Sequence, residues 1–183
     1  MNTLIVIVVI ALIAVSIIAI YNSLVGRRNE VDNAWSQIDV QLKRRLDLIP
    51  NLVETVKGYA THEKATFDAV IQARNSAMSA SSTPNAQASA DSAVTGALRQ
   101  LFALSEAYPD LKANQGFVSL QEELSNTESR IAYARQFYGD AVLSFNTAIQ
   151  KFPGSIVASA FKFAEREYFE AEAAARTTPE VKF

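Results

Sequence analysis

Few side chains in this sequence are of the types that carry out catalysis or hold a metal ion. His62 is the only histidine, and although Glu63 follows it, the HExxH pattern of zinc hydrolases is absent. A histidine-based metal site would therefore have one ligand where three or four are needed. The sequence also contains no cysteine, no G-x-S-x-G pattern and no glycine-rich phosphate loop. We therefore predict a non-enzymatic protein without a metal or another cofactor.

The charged side chains are numerous but nearly balanced. Lysine and arginine number 17, aspartate and glutamate number 19, and the net charge is −2. This balance provides no basic surface for nucleic acid, which we exclude as a partner. The absence of cysteine also excludes disulfide bonds and is typical of a reducing compartment.

The N-terminus carries the strongest signal in the chain. From Leu4 to Tyr21 the only polar side chain is Ser16, and eighteen such residues are close to the ~20 that cross a bilayer as a helix. No basic residue precedes this stretch and no small-residue cleavage site follows it, which favours a single uncleaved anchor over residues 1–26. Arg27 and Arg28 are the first charged residues. The positive-inside rule then predicts an outside N-terminus and a cytoplasmic remainder, with membrane lipid as a partner of the anchor.

A helical pattern follows the anchor and passes through Pro50 without losing its phase. Apolar residues recur in steps of four and three at Val31, Trp35, Ile38, Leu42, Ile49, Leu52, Val56, Ala60, Phe67 and Val70. Two helices that reversed direction at Pro50 would have no reason to share one register. We therefore predict one long helix kinked at Pro50, with a second weak point at Gly58.

Small and polar residues at 79–92 predict a loop, and the next helix is expected to begin at Ala86 or Asp91 and to end before Pro109. "YPDLKANQGF" at 108–117 is typical of a structured turn.

The longest pattern runs from Leu120 to Phe152, where "FPG" ends it, and a last segment covers Ser155 to Arg176. No strand pattern or internal repeat is present. We predict an all-α fold: an elongated antiparallel helical bundle at 27–178 on the transmembrane helix, followed by a short tail at 179–183.

The stretch "RRNEVDNAWSQIDVQLKRRLDLIPNLVETVKGYATHE" resembles the signature of the LemA family, and the resemblance continues in "YPDLKAN", "LSNTESRIAYARQFY", "SFNTAIQKFP" and "YFE". The family implies a bacterial inner-membrane protein with one N-terminal transmembrane helix and a bundle of long helices. Its members are associated with membrane proteolysis and surface-protein gene neighbourhoods, and one branch with the shaping of internal membranes. Where the family often has asparagine after "RQFY", this chain has Gly139.

The polar positions that match the family motifs are Asn33, Asp39, Arg45, Asp47, Asn51, Glu128, Arg135 and Asn146. Asp39 and Arg45 lie on the first long helix, whereas Glu128 and Arg135 lie two turns apart on the second. Antiparallel packing would bring these two sets together. We interpret the eight residues as a structural polar network that sets helix register, with a ligand site as the alternative.

Two functions remain open. The first is a self-associating scaffold that organises or shapes the membrane as a homo-oligomer, through coiled-coil-like patterns and four exposed aromatic residues, Phe161, Phe163, Tyr168 and Phe169. The second is an adaptor or regulatory partner of a membrane protease or another envelope enzyme.

Overall fold

The computed structural model describes residues 2–169, which form six helices and no strand. The helices are α1 (Asn2–Lys57), α2 (Lys64–Ser79), α3 (Pro84–Ser105), α4 (Pro109–Lys112), α5 (Gln115–Gln150) and α6 (Gly154–Ala160). The prediction of an all-α fold with one long apolar N-terminal helix is confirmed. Among the described helices, α1 alone is long and apolar enough to cross a membrane, and none of that apolar stretch is buried.

The helix α1 continues through Pro50 and ends at Lys57, so the weak point predicted at Gly58 is a full break in the helix. Pro50 cannot donate to the carbonyl of Leu46 one turn earlier. That carbonyl accepts a hydrogen bond from Nε of Arg74 in α2, at 2.9 Å. Because of the proline, the carbonyl of Leu46 is available to accept from Arg74, and this hydrogen bond links α2 to α1.

Two boundaries differ from the sequence-based expectation. The helix α3 begins at Pro84, before both predicted starts, because proline has no N–H to lose in the first turn of a helix. The helix α6 ends at Ala160, and residues 163–169 have no regular secondary structure. The rest of the last predicted segment and the tail at 179–183 lie outside the described residues.

The chain divides into two compact units, which we call the anchor unit (residues 2–37 and 136–167) and the bundle unit (residues 38–135 with 168 and 169). In the anchor unit, the part of α1 that follows the apolar stretch packs antiparallel to the last part of α5. Trp35 contacts Tyr138 with ring centroids 5.5 Å apart, and Arg27 donates to Oγ of Ser144.

The bundle unit is a four-helix arrangement of α1, α2, α3 and α5. The hydroxyl of Tyr59 accepts from Asn114 at 2.9 Å, whereas Arg44 meets Glu123 at 2.6 Å. Residue numbers thus fall along α5 as they rise along α1, so these helices are antiparallel.

The bundle unit contains one large apolar cluster in its core. Its buried residues are Ile49, Leu52, Val53, Val56, Ala60, Phe67, Val70, Ala77, Val94, Ala97, Leu98, Leu101, Leu111, Phe117 and Leu124. This burial supplies the main stabilising free energy of the unit, about 1.5 to 3 kcal/mol for each large side chain. Against such a background, any charged group within the helix interface requires a partner.

Candidate functional site: a buried ion-pair cluster

Three helices of the bundle unit contribute charged side chains to one cluster. Arg45 comes from α1 and occupies a position in the helical pattern where an apolar residue is due. Asp91 comes from α3, one turn before Val94 on the buried face of that helix. Glu128 and Arg135 come from α5. Helix periodicity therefore directs Arg45 and Asp91 toward the interior, where each charge needs an opposite charge.

Arg45 and Asp91 form the centre of this cluster. Nη1 of Arg45 donates to Oδ1 of Asp91 at 2.7 Å, and each side chain is only 5% exposed. Nη2 of Arg45 donates to the hydroxyl of Thr95 at 2.9 Å. That hydroxyl in turn donates to the main-chain carbonyl of Asp91, also at 2.9 Å. Thr95 thus joins the arginine of α1 to the middle of α3.

The two residues from α5 complete the charge balance. Nη2 of Arg135 donates to the second carboxylate oxygen of Asp91, and its guanidinium lies 4.8 Å from the ring centroid of Phe169. A carboxylate oxygen of Glu128 lies 3.0 Å from Nη1 of Arg45. Two arginines therefore face two carboxylates, and the cluster carries no net charge.

A groove of about 500 Å³ opens beside the cluster. Its lining residues are Arg45, Thr95, Leu98, Arg99, Phe102, Gln121, Leu124, Ser125, Glu128 and Ser129. Nε of Arg45 and Nε of Arg135 are buried without a hydrogen-bond partner among the described residues. The arrangement can position helices. It offers no nucleophile activated by a neighbouring base.

The structure brings together only three of the eight residues predicted as a network: Arg45, Glu128 and Arg135. Asn33, Asp47 and Asn51 are exposed. Asp39 pairs within α1 with Lys43 at 2.7 Å, and this hydrogen bond together with the carboxylate charge raises the pKa of the exposed lysine.

Asn146 belongs to the anchor unit, whereas the cluster belongs to the bundle unit. The side-chain amide of Asn146 donates to the main-chain carbonyl of Arg166 and accepts from the main-chain N–H of the same residue, both at 2.9 Å. Arg166 also donates to Asp32 at 2.8 Å. Nearby, the hydroxyl of Tyr138 donates to the carbonyl of Glu167 at 2.8 Å, and burial raises the pKa of that tyrosine. Asn146 therefore ties the segment after α6 to α5.

Sequence reasoning missed Asp91 and Thr95 as members of the cluster. The sequence pattern marks Asp91 only as a possible helix start. The available signal was its position, because Asp91 shares the helical face of Val94, Leu98 and Leu101, where a charge is unexpected.

Three of the four aromatic residues predicted for intermolecular contacts, Phe161, Phe163 and Phe169, have ring contacts within the chain. The ring of Phe163 lies 5.8 Å from that of Tyr21, and the guanidinium of Arg28 lies 5.5 Å from its centroid. Phe161 also meets Tyr21, at 4.7 Å, but stays largely exposed, and Tyr168 lies on the surface. Phe169 packs against the guanidinium of Arg135.

His62 lies exposed between α1 and α2. Within residues 2–169, no group of three or more histidine, aspartate or glutamate side chains is placed to hold a metal ion.

The chain resembles known proteins over most of its length. The family model described as LemA family matches residues 34–183. Protein LemA of Metamycoplasma hominis is 31% identical in an alignment of 141 positions that covers 75% of this chain and 63% of that protein. Magnetosome protein MamQ of Magnetospirillum gryphiswaldense is 24% identical over 88% of this chain and 70% of its own length. Magnetosome protein MamQ 1 of Paramagnetospirillum magneticum is 25% identical over 86% of this chain and 67% of its own length.

The chain thus spans about two thirds of the length of these curated relatives. A family match over 150 of the 183 positions, together with the apolar helix α1, fits a single-pass membrane protein with a helical body. This protein belongs to the LemA family.

Proposed function

We propose that this protein is a non-enzymatic scaffold anchored in the bacterial inner membrane, whose bundle associates laterally with further copies of itself. Membership of a family in which one branch is associated with the shaping of internal membranes supports this role, and two of the relatives are named as magnetosome proteins. The charge-balanced cluster supports a structural body, because its ionised groups are already engaged with one another.

An exposed apolar pair in the bundle unit carries this proposal. Val40 of α1 is 58% exposed and Tyr133 of α5 is 75% exposed. Arg45 meets Glu128 across these antiparallel helices, so Val40, five residues before Arg45, is level with Tyr133, five residues after Glu128. Two adjacent helices therefore present a large apolar side chain to solvent at the same height.

Charged residues flank this pair on one side. Arg44 and Arg130 line a shallow polar groove of about 260 Å³ between the two helices, together with Glu122 and Glu123. Val40 lies one turn before Arg44, and Tyr133 lies one turn after Arg130. Each apolar residue therefore lies on the same helix face as an arginine that lines the groove, just beyond the end of the groove.

A surface that carries both signs of charge beside an apolar centre can be complementary to a second copy of itself. In a two-fold contact, the arginines of one copy face the glutamates of the other, and the apolar residues meet near the axis. We call Val40, Tyr133 and the flanking charges the self-association surface.

Single-cysteine crosslinking tests the proposal, because the native chain contains no cysteine. Tyr133→Cys places a thiol within the self-association surface. Met78→Cys, at an exposed position of α2 in the same unit, is the matched control. After mild oxidation in native membranes, we expect a disulfide-linked dimer for the first variant and mainly monomer for the second.

Other outcomes would change the assignment. Equal crosslinking of both variants would indicate random collision and would remove this surface from the proposal. A crosslink from position 133 to one different protein, without any dimer, would favour an adaptor for a membrane protease or another envelope enzyme.

A further inference from the structure

The turn between α5 and α6, with α6 itself, is unusually apolar for a segment outside the predicted span. Residues 152–161 read "FPGSIVASAF" and carry no charge, whereas Lys151 and Lys162 stand directly on either side. Phe152 is 81% exposed and Ile156 is 62% exposed. We call residues 152–161 the apolar hairpin.

Within the anchor unit, this hairpin lies beside the apolar stretch of α1. The two enclose an open groove of about 480 Å³. Leu12, Ile17 and Ile20 form its wall on α1, and Phe152 and Ile156 contribute to the opposite wall.

A second contact also places the apolar hairpin next to α1. The ring of Phe161, at the end of the hairpin, lies 4.7 Å from the ring of Tyr21. Tyrosine is common where a membrane helix meets the headgroup region.

The depth of the groove follows from helix geometry. Leu12 precedes Arg27, the first charged residue, by about 22 Å along a helix that rises 1.5 Å per residue. One leaflet of the hydrocarbon layer is about 15 Å thick. The residues that wall the groove on α1 therefore lie at hydrocarbon depth when α1 crosses the membrane. Side chains that share this groove must reach the same layer.

The main chain of the hairpin suits such an environment, because polar groups in hydrocarbon must be hydrogen-bonded within the protein. The N–H of Ser155 donates to the carbonyl of Lys151 at 2.9 Å. At the far end, the N–H of Phe161 donates to Val157 at 3.0 Å and that of Phe163 to Ala158 at 2.9 Å.

We infer that the apolar hairpin inserts into the leaflet next to α1 as a second, non-spanning membrane contact. Lipid acyl chains fill the groove, which continues the exposed apolar surface of α1. Lys151 and Lys162 remain at the level of the headgroups, since long basic side chains keep their charge in the polar layer. This inference rests on α1 as the span and is independent of self-association.

Fluorescent labelling of single-cysteine variants in the full-length protein tests the insertion. Ile156→Cys reports on the hairpin, Ile18→Cys on the span, and Met78→Cys on an exposed position of the bundle unit. Each variant is labelled with an environment-sensitive dye and reconstituted into phosphatidylcholine–phosphatidylglycerol vesicles in which the label at position 18 is shielded from iodide. Circular dichroism verifies that each variant retains its helical content.

We expect the iodide quenching constant at position 156 to be roughly tenfold smaller than at position 78, because an ion enters hydrocarbon poorly. Nitroxides on the lipid acyl chains should quench position 156 as they quench position 18. A Phe152→Cys label should behave in the same way. Iodide quenching at both 152 and 156 that equals quenching at 78 would overturn the inference, whatever the crosslinking result at Tyr133.

Discussion

Arg74 of α2 donates through Nε to the main-chain carbonyl of Leu46 in α1, at 2.9 Å. This is the carbonyl that would accept from residue 50 if that residue had an N–H. The proline in the middle of α1 and the arginine on the neighbouring helix are therefore two parts of one contact.

We predict that Pro50→Ala keeps the fold, straightens α1 and raises the free energy of unfolding by up to about 3 kcal/mol, the cost of an interior proline. Arg74→Met alone should lower it by about 1 to 3 kcal/mol, because the Leu46 carbonyl loses its donor. In the double variant, the main-chain N–H restored at position 50 can donate to the Leu46 carbonyl. Arg74→Met should therefore lower the free energy of unfolding by less in the Pro50→Ala background than in the native chain. Urea unfolding of the four proteins in detergent measures this coupling, and strictly additive effects would refute it.

Asp91 is the carboxylate shared by two arginines of the cluster. We expect Asp91→Asn to lower the free energy of unfolding by about 3 to 5 kcal/mol, since it leaves a buried guanidinium without its main counter-charge. The matched control is Glu123→Gln, whose pair with Arg44 is 2.6 Å long but has side chains 47% and 41% exposed. Its cost should stay below about 1 kcal/mol because solvent screens the pair. If chemical denaturation shows that Asp91→Asn and Glu123→Gln lower the free energy of unfolding equally, the cluster is not a stabilising centre.

For two glycines of the anchor unit, substitution by alanine should change the free energy of unfolding in opposite directions. At Gly154, an added Cβ would clash with the carbonyl oxygen of Ala148, so the main chain must shift. We expect Gly154→Ala to cost about 1 to 3 kcal/mol of unfolding free energy. At Gly139, inside α5, an added Cβ would meet no atom within 4 Å beyond the adjacent backbone of its own helix, and alanine should add about 0.5 to 1 kcal/mol. Thermal melting of both variants provides the comparison, and a neutral Gly154→Ala would contradict the close approach.

The orientation of the chain is a separate prediction. Arg27 and Arg28 follow the apolar stretch, so a reporter fused after Phe183 should lie in the cytoplasm. A green fluorescent protein fusion should then fluoresce, whereas an alkaline phosphatase fusion should stay inactive. The reverse pattern would place the bundle outside and would favour a partner in the envelope.

Much of the fold was accessible from local pattern. An uninterrupted apolar stretch must be shielded from water, and a four-and-three repeat lines up side chains only on a helix, so neither conclusion required distant contacts. Arg45 could likewise be recognised, because a charge in the place of an apolar residue must find a partner. Gly139 could likewise be identified as a weak position in α5, because glycine has a low helix propensity whatever its distant neighbours are.

The partner of Arg45 could not be predicted in this way. Whether Asp91, Asp39 or Asp47 meets the arginine depends on the rotation and register of one helix against another. Those are set by the sum of many weak side-chain contacts across the core, which no single segment encodes. The same holds for the donor that Arg74 supplies to Leu46, for the level placement of Val40 and Tyr133, and for the apolar hairpin beside α1. The sequence by itself determined which segments are helical and which face of each is apolar, whereas the tertiary structure decided which polar groups meet, because helix packing alone brings residues distant in the chain within hydrogen-bonding distance.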